Sequence, residues 1–350
     1  ITILSGRDKG VTKRKKLEDI LEGNTQIIIG THALFQESVI YKNLRLAIID
    51  EQHRFGVRQR MELGNKGYNV DILVMTATPI PRSLSLTYYG DMDFSILDQK
   101  PKNRKPISTA VIPESRIDSV LDRLEISLDC GRRAYWVCPL VEDSEILSLT
   151  SAQFRLKSLL ERFPSKSISL VHGQMSGQEK DEIMHKFATG KMDLLVSTTV
   201  IEVGVDVPEA SIIIIEGAER FGLAQLHQLR GRVGRGVEQS SCILIYTGTL
   251  GKNSKARLEI LRETEDGFKI SEEDLKIRGA GDVLGLEQSG LPQFEVANLE
   301  SQAHLMEIAR VDSRMILDLD PDLTSQRGLA IRQLLDLMDL KRSLQYITVG

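Results

Sequence analysis

The sequence predicts an α/β protein built on parallel sheets, and three observations predict it. Short apolar runs alternate with helical stretches as far as Tyr246. The runs are β-branched or leucine-rich at successive positions, as strands covered on both faces must be. Helix-ending glycines and prolines stand between them.

The predicted strands cover 26–30, 46–49, 72–75, 133–138, 167–171, 193–197, 211–215 and 242–246. A helix is expected over 178–188, where Ile183, Met184 and Phe187 form a stripe and Gly190 ends it. Another over 151–163 is closed by Pro164. The segment 99–106 (QKPKNRKP) is charged and poor in apolar residues and reads as a linker. After Tyr246 charged helices replace strands. Three regions follow: 1–98, 99–250 and 251–350.

A length of 350 residues suits two or three domains of roughly 100–200 residues each. No apolar run approaches the roughly 20 residues that span a bilayer, and no signal peptide follows Ile1. A first residue other than Met suggests a fragment or a processed product. Cys130, Cys138 and Cys242 are far apart and read as buried reduced thiols. The six histidines are scattered, and no metal cluster is expected of them. The net charge of −4 leaves any nucleic-acid role to local patches. The run Arg7, Lys9, Lys13, Arg14, Lys15, Lys16 is one such patch, though by itself it reads as a solvated helix face.

Four motifs carry chemistry. In Leu46-Ala-Ile-Ile-Asp50-Glu51-Gln52-His53 an apolar strand ends in two carboxylates, at the sheet edge where α/β folds bind ligands. Metal-assisted phosphoryl transfer needs one carboxylate for Mg²⁺ and one to position water. Asp50 suits the first role and Glu51 the second; alone, the pair reads as a solvated turn, and its neighbours change that weighing. A second strand runs into Thr76-Ala-Thr78-Pro79, whose hydroxyls can reach that carboxylate. The third motif, Thr198-Thr199 through Gly204 and Asp206 to Pro208, offers close backbone approach and a ribose acceptor. The fourth, Gln228-Leu-Arg230-Gly-Arg232-Val-Gly-Arg235-Gly, interleaves arginines with glycines that each cost a helix about 1 kcal/mol. Such arginines are suited to a phosphate.

In this order and spacing the four resemble motifs II (DExH), III (TAT), V and VI (QxxGRxGR) of superfamily-2 helicases. The resemblance implies two RecA-like lobes, the first incomplete here, with ATP between them. It implies that Asp50 holds Mg²⁺ and Glu51 activates water. Thr76 and Thr78 would couple ATP state to DNA, with His53 beside the nucleotide. Gly204 and Asp206 would touch nucleotide, and Gln228, Arg232 and Arg235 would reach the γ-phosphate. Gly30-Thr31-His32 resembles motif Ib and Val171-His172-Gly173 resembles motif IVa. Both imply DNA backbone contacts, as do Thr198 and Thr199; a buried, satisfied histidine is the other reading of His172.

The wording Asp50-Glu-Gln-His-Arg-Phe-Gly-Val57 and Thr78-Pro-Ile-Pro-Arg-Ser-Leu84 is similar to the RecG branched-DNA helicases and to their relative, the transcription-repair coupling factor. Gln52-His53 leans to RecG. A segment shared by these two families, the translocation motif, is resembled by Lys255 through Gly290, with Arg257, Arg278 and Gln288 at the functional positions. Leu286-Glu287 departs from the family's Thr-Arg. The resemblance implies ATP and Mg²⁺ as cofactors. It implies a bacterial cytoplasmic, nucleoid-associated monomer acting on forks and Holliday junctions, with single-stranded DNA-binding protein as a partner. No G-x-x-x-x-G-K-[ST] occurs in the 350 residues. The family's P-loop and wedge domain are expected upstream, so the chain by itself is expected to hydrolyse no ATP. Another superfamily-2 translocase and a non-catalytic nucleic-acid-binding module are the alternatives.

Overall fold

The computed structural model describes residues 1–6, 8–51, 63–64, 66–76, 95–97, 99, 101, 104–139, 145–198, 207–236, 238–278, 302 and 304–337. Packing divides the chain into two compact units. One is built from Ile1–Ala77, Ser85–Asp93 and Leu291–Gly350, the other from Thr78–Leu84 and Phe94–Gly290.

In the first unit β1 (Thr2–Leu4) leads through α1 (Gly10–Glu22) to a parallel partner, β2 (Ile28–Gly30). β3 (Leu46–Ile49) and β4 (Asp71–Val74) form a second parallel pair. Alternation gives each pair one buried face. Leu4 and Ile28 pack with Ile20 and Ala33, and Ala47, Ile49 and Ile72 pack with Leu63. The opposite faces, with Ile3, Ile29, Leu46, Ile48 and Leu73, are exposed. Two more helices, His304–Leu319 and Gln326–Leu337, fall in this unit.

The second unit is a six-stranded parallel sheet in the order β5-β10-β9-β6-β8-β7. Its strands are β5 (Ser108–Pro113), β6 (Arg133–Val137), β7 (Ile168–Val171), β8 (Leu194–Ser197), β9 (Ala210–Ile215) and β10 (Ser241–Tyr246). Period-two alternation sends Ala134 and Trp136 to one face and Tyr135 and Val137 to the other. The first face is covered by α2 (Ile117–Asp129) and α3 (Glu145–Arg162) through Leu124, Leu128, Leu159 and Phe163. The second is covered by α4 (Gly177–Ala188), α5 (Leu223–Arg230), α6 (Lys252–Glu263) and α7 (Gly267–Arg278). Leu258, Leu261 and Ile270 belong to the core on that face, so α6 and α7 are packed against the sheet.

The parallel α/β class is the one the sequence predicts. β1 and β5 were not expected from it, and α3 begins earlier than 151. Of the thiols, Cys138 and Cys242 are buried, but Cys130 is exposed because it caps the end of α2. The segment read as a linker is pinned at its far end. Arg104 donates to the Gly234 carbonyl at 2.8 Å, and Gln239 Nε2 to the Pro106 carbonyl at 2.6 Å.

Candidate functional site

In the first unit β3 and β4 end side by side. Ile49 is in register with Val74, and Met75 N–H donates to the Ile49 carbonyl at 2.8 Å. Asp50 and Thr76 therefore leave adjacent strand ends, at the carboxyl edge of a parallel pair. Asp50 Oδ1 accepts from the Glu51 N–H at 2.9 Å. Glu51 sits at φ 54°, in the left-handed region. A glutamate there costs about 1–2 kcal/mol, and such strain concentrates at functional turns. His53 and Thr78 lie outside the described residues.

Gly30 closes β2 where no side chain fits: a Cβ would lie 2.2 Å from the Leu4 carbonyl oxygen. The chain then enters a short 3₁₀ turn, His32–Phe35, with Thr31 at its N-cap. Thr31 and His32 are exposed, and the His32 ring meets Phe35 edge-on at 6.3 Å.

In the second unit the ends of β7 and β8 bring His172 and Thr198 together, since Val171 is in register with Ser197 and Thr198 N–H donates to the Val171 carbonyl at 3.3 Å. Thr198 is buried and His172 half-buried. His172 Nδ1 and Ser197 Oγ are buried without a hydrogen-bond partner among the described residues. The chain continues from Gly173 into α4, which is fixed by a capping box. Glu179 N–H donates to Ser176 Oγ at 3.3 Å, and Ser176 N–H to the Glu179 carboxylate at 2.8 Å. These bonds hold the Glu179 carboxyl below its usual pKa. Lys180 Nζ donates to the Gly173 carbonyl at 2.8 Å, which ties the loop to its helix. Thr199, Gly204 and Asp206 lie outside the described residues.

The arginine motif begins on α5, whose Leu223, Leu226 and Leu229 are buried in the core. Gln228 is half-buried on its last turn. The helix ends in tight turns: Arg232 N–H donates to the Leu229 carbonyl at 3.0 Å and Val233 N–H to the Arg230 carbonyl at 3.2 Å. Arg232 is half-buried; Arg235 is exposed, with its Nε donating to the Gly231 carbonyl at 3.2 Å. Both arginines therefore ride on one short glycine-bearing turn.

Arg230, which the sequence reading did not single out as a site residue, is 2% exposed. Its Nη1 donates to the carbonyls of Leu261 at 2.6 Å and Thr264 at 2.9 Å, and its Nη2 lies 3.0 Å from His227 Nδ1. Leu261 and Thr264 are at the C-terminal end of α6, where carbonyls lack helical partners and a cation is favoured. Burial pulls the Arg230 pKa below the ordinary arginine value. Arg257 reaches the opposite way, from α6 to the carbonyls of Phe221 at 3.0 Å and Glu219 at 3.4 Å, and to Ser254 Oγ at 3.1 Å. Two arginines thus stitch α6 to both ends of α5. Arg278 ends α7, and Gln288 lies outside the described residues.

A second polar knot lies at the ends of β6 and β9. Arg155 of α3 donates twice to Glu216, at 2.8 and 2.5 Å, and Trp136 Nε1 donates to the same carboxylate at 2.9 Å. A bidentate arginine shielded by an aromatic ring is a strong anchor, and here it fixes α3 to the sheet. Burial, and then the charge of Glu216, push the neighbouring Cys138 thiol up.

Three family models match the chain: DEAD/DEAH box helicase over residues 2–86, helicase conserved C-terminal domain over 117–237, and domain 3, C-terminal, of ATP-dependent DNA helicase RecG over 264–347. The chain is 48% identical to ATP-dependent DNA helicase RecG of Pasteurella multocida, over 92% of this chain and 47% of that one. It is 50% identical to the RecG of Streptococcus pneumoniae, over 89% and 46%. It therefore spans about half the length of the relatives it matches. Among solved structures it resembles RecG bound to a three-way DNA junction, at 44% identity and a TM-score of 0.66, over 87% of this chain and 39% of that one. Helicase models on both units, a RecG-specific model at the C-terminal end and this identity agree: the chain is similar to the RecG helicases over about nine tenths of its own length.

Proposed function

We propose that the chain is the motor part of an ATP-dependent DNA helicase acting on branched DNA, in repair and recombination. The observation that carries this reading is the paired end of β3 and β4, where Asp50, the strained Glu51 and Thr76 converge on one sheet edge. Asp50 is exposed and can hold Mg²⁺, a cation that is satisfied by one or two carboxylates plus substrate phosphates. Glu51, turned by its left-handed backbone, orients the attacking water. Arg232 and Arg235 place positive charge on the phosphoryl group, with Gln228 beside them, and Thr78, Gly204 and Asp206 complete the nucleotide contacts. DNA backbone is met at Gly30–His32 and at the β7 and β8 ends, by His172, Gly173, Thr198 and Thr199. The translocation motif, Arg257, Arg278 and Gln288, couples turnover to movement on DNA.

The branched substrate is supported by the relative solved on a three-way DNA junction. A single-stranded DNA-binding protein as partner, a monomeric state and a place on the bacterial nucleoid belong to the same proposal. So does the division into a first lobe (1–98), a second lobe (99–250) and a translocation region (251–350). The test uses the complete gene product and its Glu51→Gln variant. DNA-stimulated ATP hydrolysis that the variant loses, with DNA binding kept, supports the reading. Hydrolysis that survives in the variant overturns the role of Glu51, and its absence from the wild type overturns the motor.

A further inference from the structure

The geometry points to Arg104 as a positioning residue that holds the arginine turn in place, a role that rests on the helicase reading above. Gly234 stands between Arg232 and Arg235 and is gripped from two sides. Its carbonyl accepts from Arg104 Nε at 2.8 Å. It sits at φ 77°, and a Cβ there would lie 2.8 and 2.9 Å from Cγ1 and Cδ1 of Ile107. Gly234 is therefore a glycine on two counts: its backbone is left-handed, and Ile107 fills the space a side chain would need.

The gripping segment is itself fixed. Pro106 accepts from Gln239 Nε2 at 2.6 Å, and Ser108 N–H donates to the Ser240 carbonyl at 2.9 Å, where β5 begins to pair with β10. Ile107 N–H donates to the Glu265 carboxylate. Glu265 follows Thr264, the residue whose carbonyl takes Arg230. The stretch 104–107, the arginine turn and the turn between α6 and α7 thus meet through side chains bonded to backbone, which fix position without neutralising Arg232 or Arg235.

An arginine that stabilises transferring phosphate works only where the charge develops, and a displacement of about 1 Å can cost 10²-fold in rate. Arg104 supplies one of two grips, so its loss releases the turn in part. The effect falls on turnover, because Arg104 bonds a carbonyl of the turn and is assigned no contact with nucleotide or DNA.

The test is Arg104→Ala in the complete gene product, read by DNA-dependent ATPase and by hydrogen exchange across 231–236. The expected result is a kcat about tenfold lower, with KM for ATP and DNA affinity held within about twofold. Arg104→Lys, which restores a donor to the Gly234 carbonyl, recovers most of the rate. Exchange in 231–236 rises severalfold while β8, β9 and β10 keep their protection. In an Arg235→Ala background the Arg104→Ala loss shrinks, because both act through one turn. Unchanged exchange in 231–236, an additive loss in that background, or a KM that rises as kcat falls overturns the proposal. A wild type without ATPase sinks the helicase reading instead, and the exchange measurement then decides the positioning role alone.

Discussion

Replacing Arg230 by methionine keeps most of the side-chain volume and removes every donor. The structure sets the cost. Two carbonyls at the end of α6, those of Leu261 and Thr264, lose a charged donor at 2.6 and 2.9 Å in a site where the arginine is 2% exposed. A buried acceptor left unsatisfied costs about 1–3 kcal/mol, and a cation at a partly buried helix C-terminus contributes up to about 2 kcal/mol. Two such acceptors cost about 2–6 kcal/mol and the lost cation up to about 2 kcal/mol more; the methionine need not bury a charge, which offsets part of this and leaves an expected loss of about 3–5 kcal/mol. It should appear locally, as undocking of α6 and α7. Hydrogen exchange of the α6–α7 amides reads it directly: at 1.4 kcal/mol per tenfold, protection falls by about two to three and a half decades. Protection in β6, β8 and β9 should fall less. An Arg230→Met variant whose α6–α7 protection changes by less than about tenfold would refute the reasoning, since the arginine would then be replaceable by any chain of its size.

Arg232→Ala or Arg235→Ala in the complete gene product should lower ATP turnover by about 10³-fold or more while DNA affinity stays nearly intact; equal losses in both assays would reassign these residues to DNA phosphates. Arg257→Ala should retain DNA-dependent ATPase and lose fork unwinding, because it removes the bonds of α6 to Phe221 and Glu219 and leaves the arginine turn in place. Arg278→Ala should do the same and Gln288→Ala should be weaker, since the sequence beside it, at Glu287, already departs from the family's arginine; proportional loss of both activities would remove the coupling role. Native alkylation near pH 8 should label Cys130 and spare Cys138 and Cys242, which are buried, with Cys242 pushed up to about 12 by that burial. Equal labelling of all three before denaturation would show that the second unit's core is open.

The sequence made the central strands legible because each is buried on both faces, so β6, β8 and β9 read as unbroken apolar runs. β5 escaped because it is an edge strand whose residues, Ser108-Thr-Ala-Val-Ile-Pro113, are at most half-buried. β1 escaped because three residues carry no period, and its place is fixed by pairing with β2. The strand-end carboxylates and the glycine-bearing arginine motif announce themselves through local spacing. Arg230 and Arg104 do not. An arginine reads as surface from sequence, and their partners are backbone carbonyls 31 and 130 positions away, a chemistry that every residue shares. Glu216 and Arg155 were silent likewise, 61 positions apart on β9's end and α3.

The exposed apolar faces of β1–β2 and β3–β4 have a bearing on which protein to assay. Uncovered strands of this kind invite association, and the RecG relatives are about twice as long as this chain. The complete gene product is therefore the species on which motor activity is measured. The most direct measurement pairs ATP hydrolysis with strand separation, on a forked duplex and on a linear duplex of the same sequence and length. Faster hydrolysis on the fork, with unwinding of the fork and none of the linear duplex, is the predicted result. Hydrolysis without unwinding of either substrate, or equal activity on both, would contradict a branched-DNA motor.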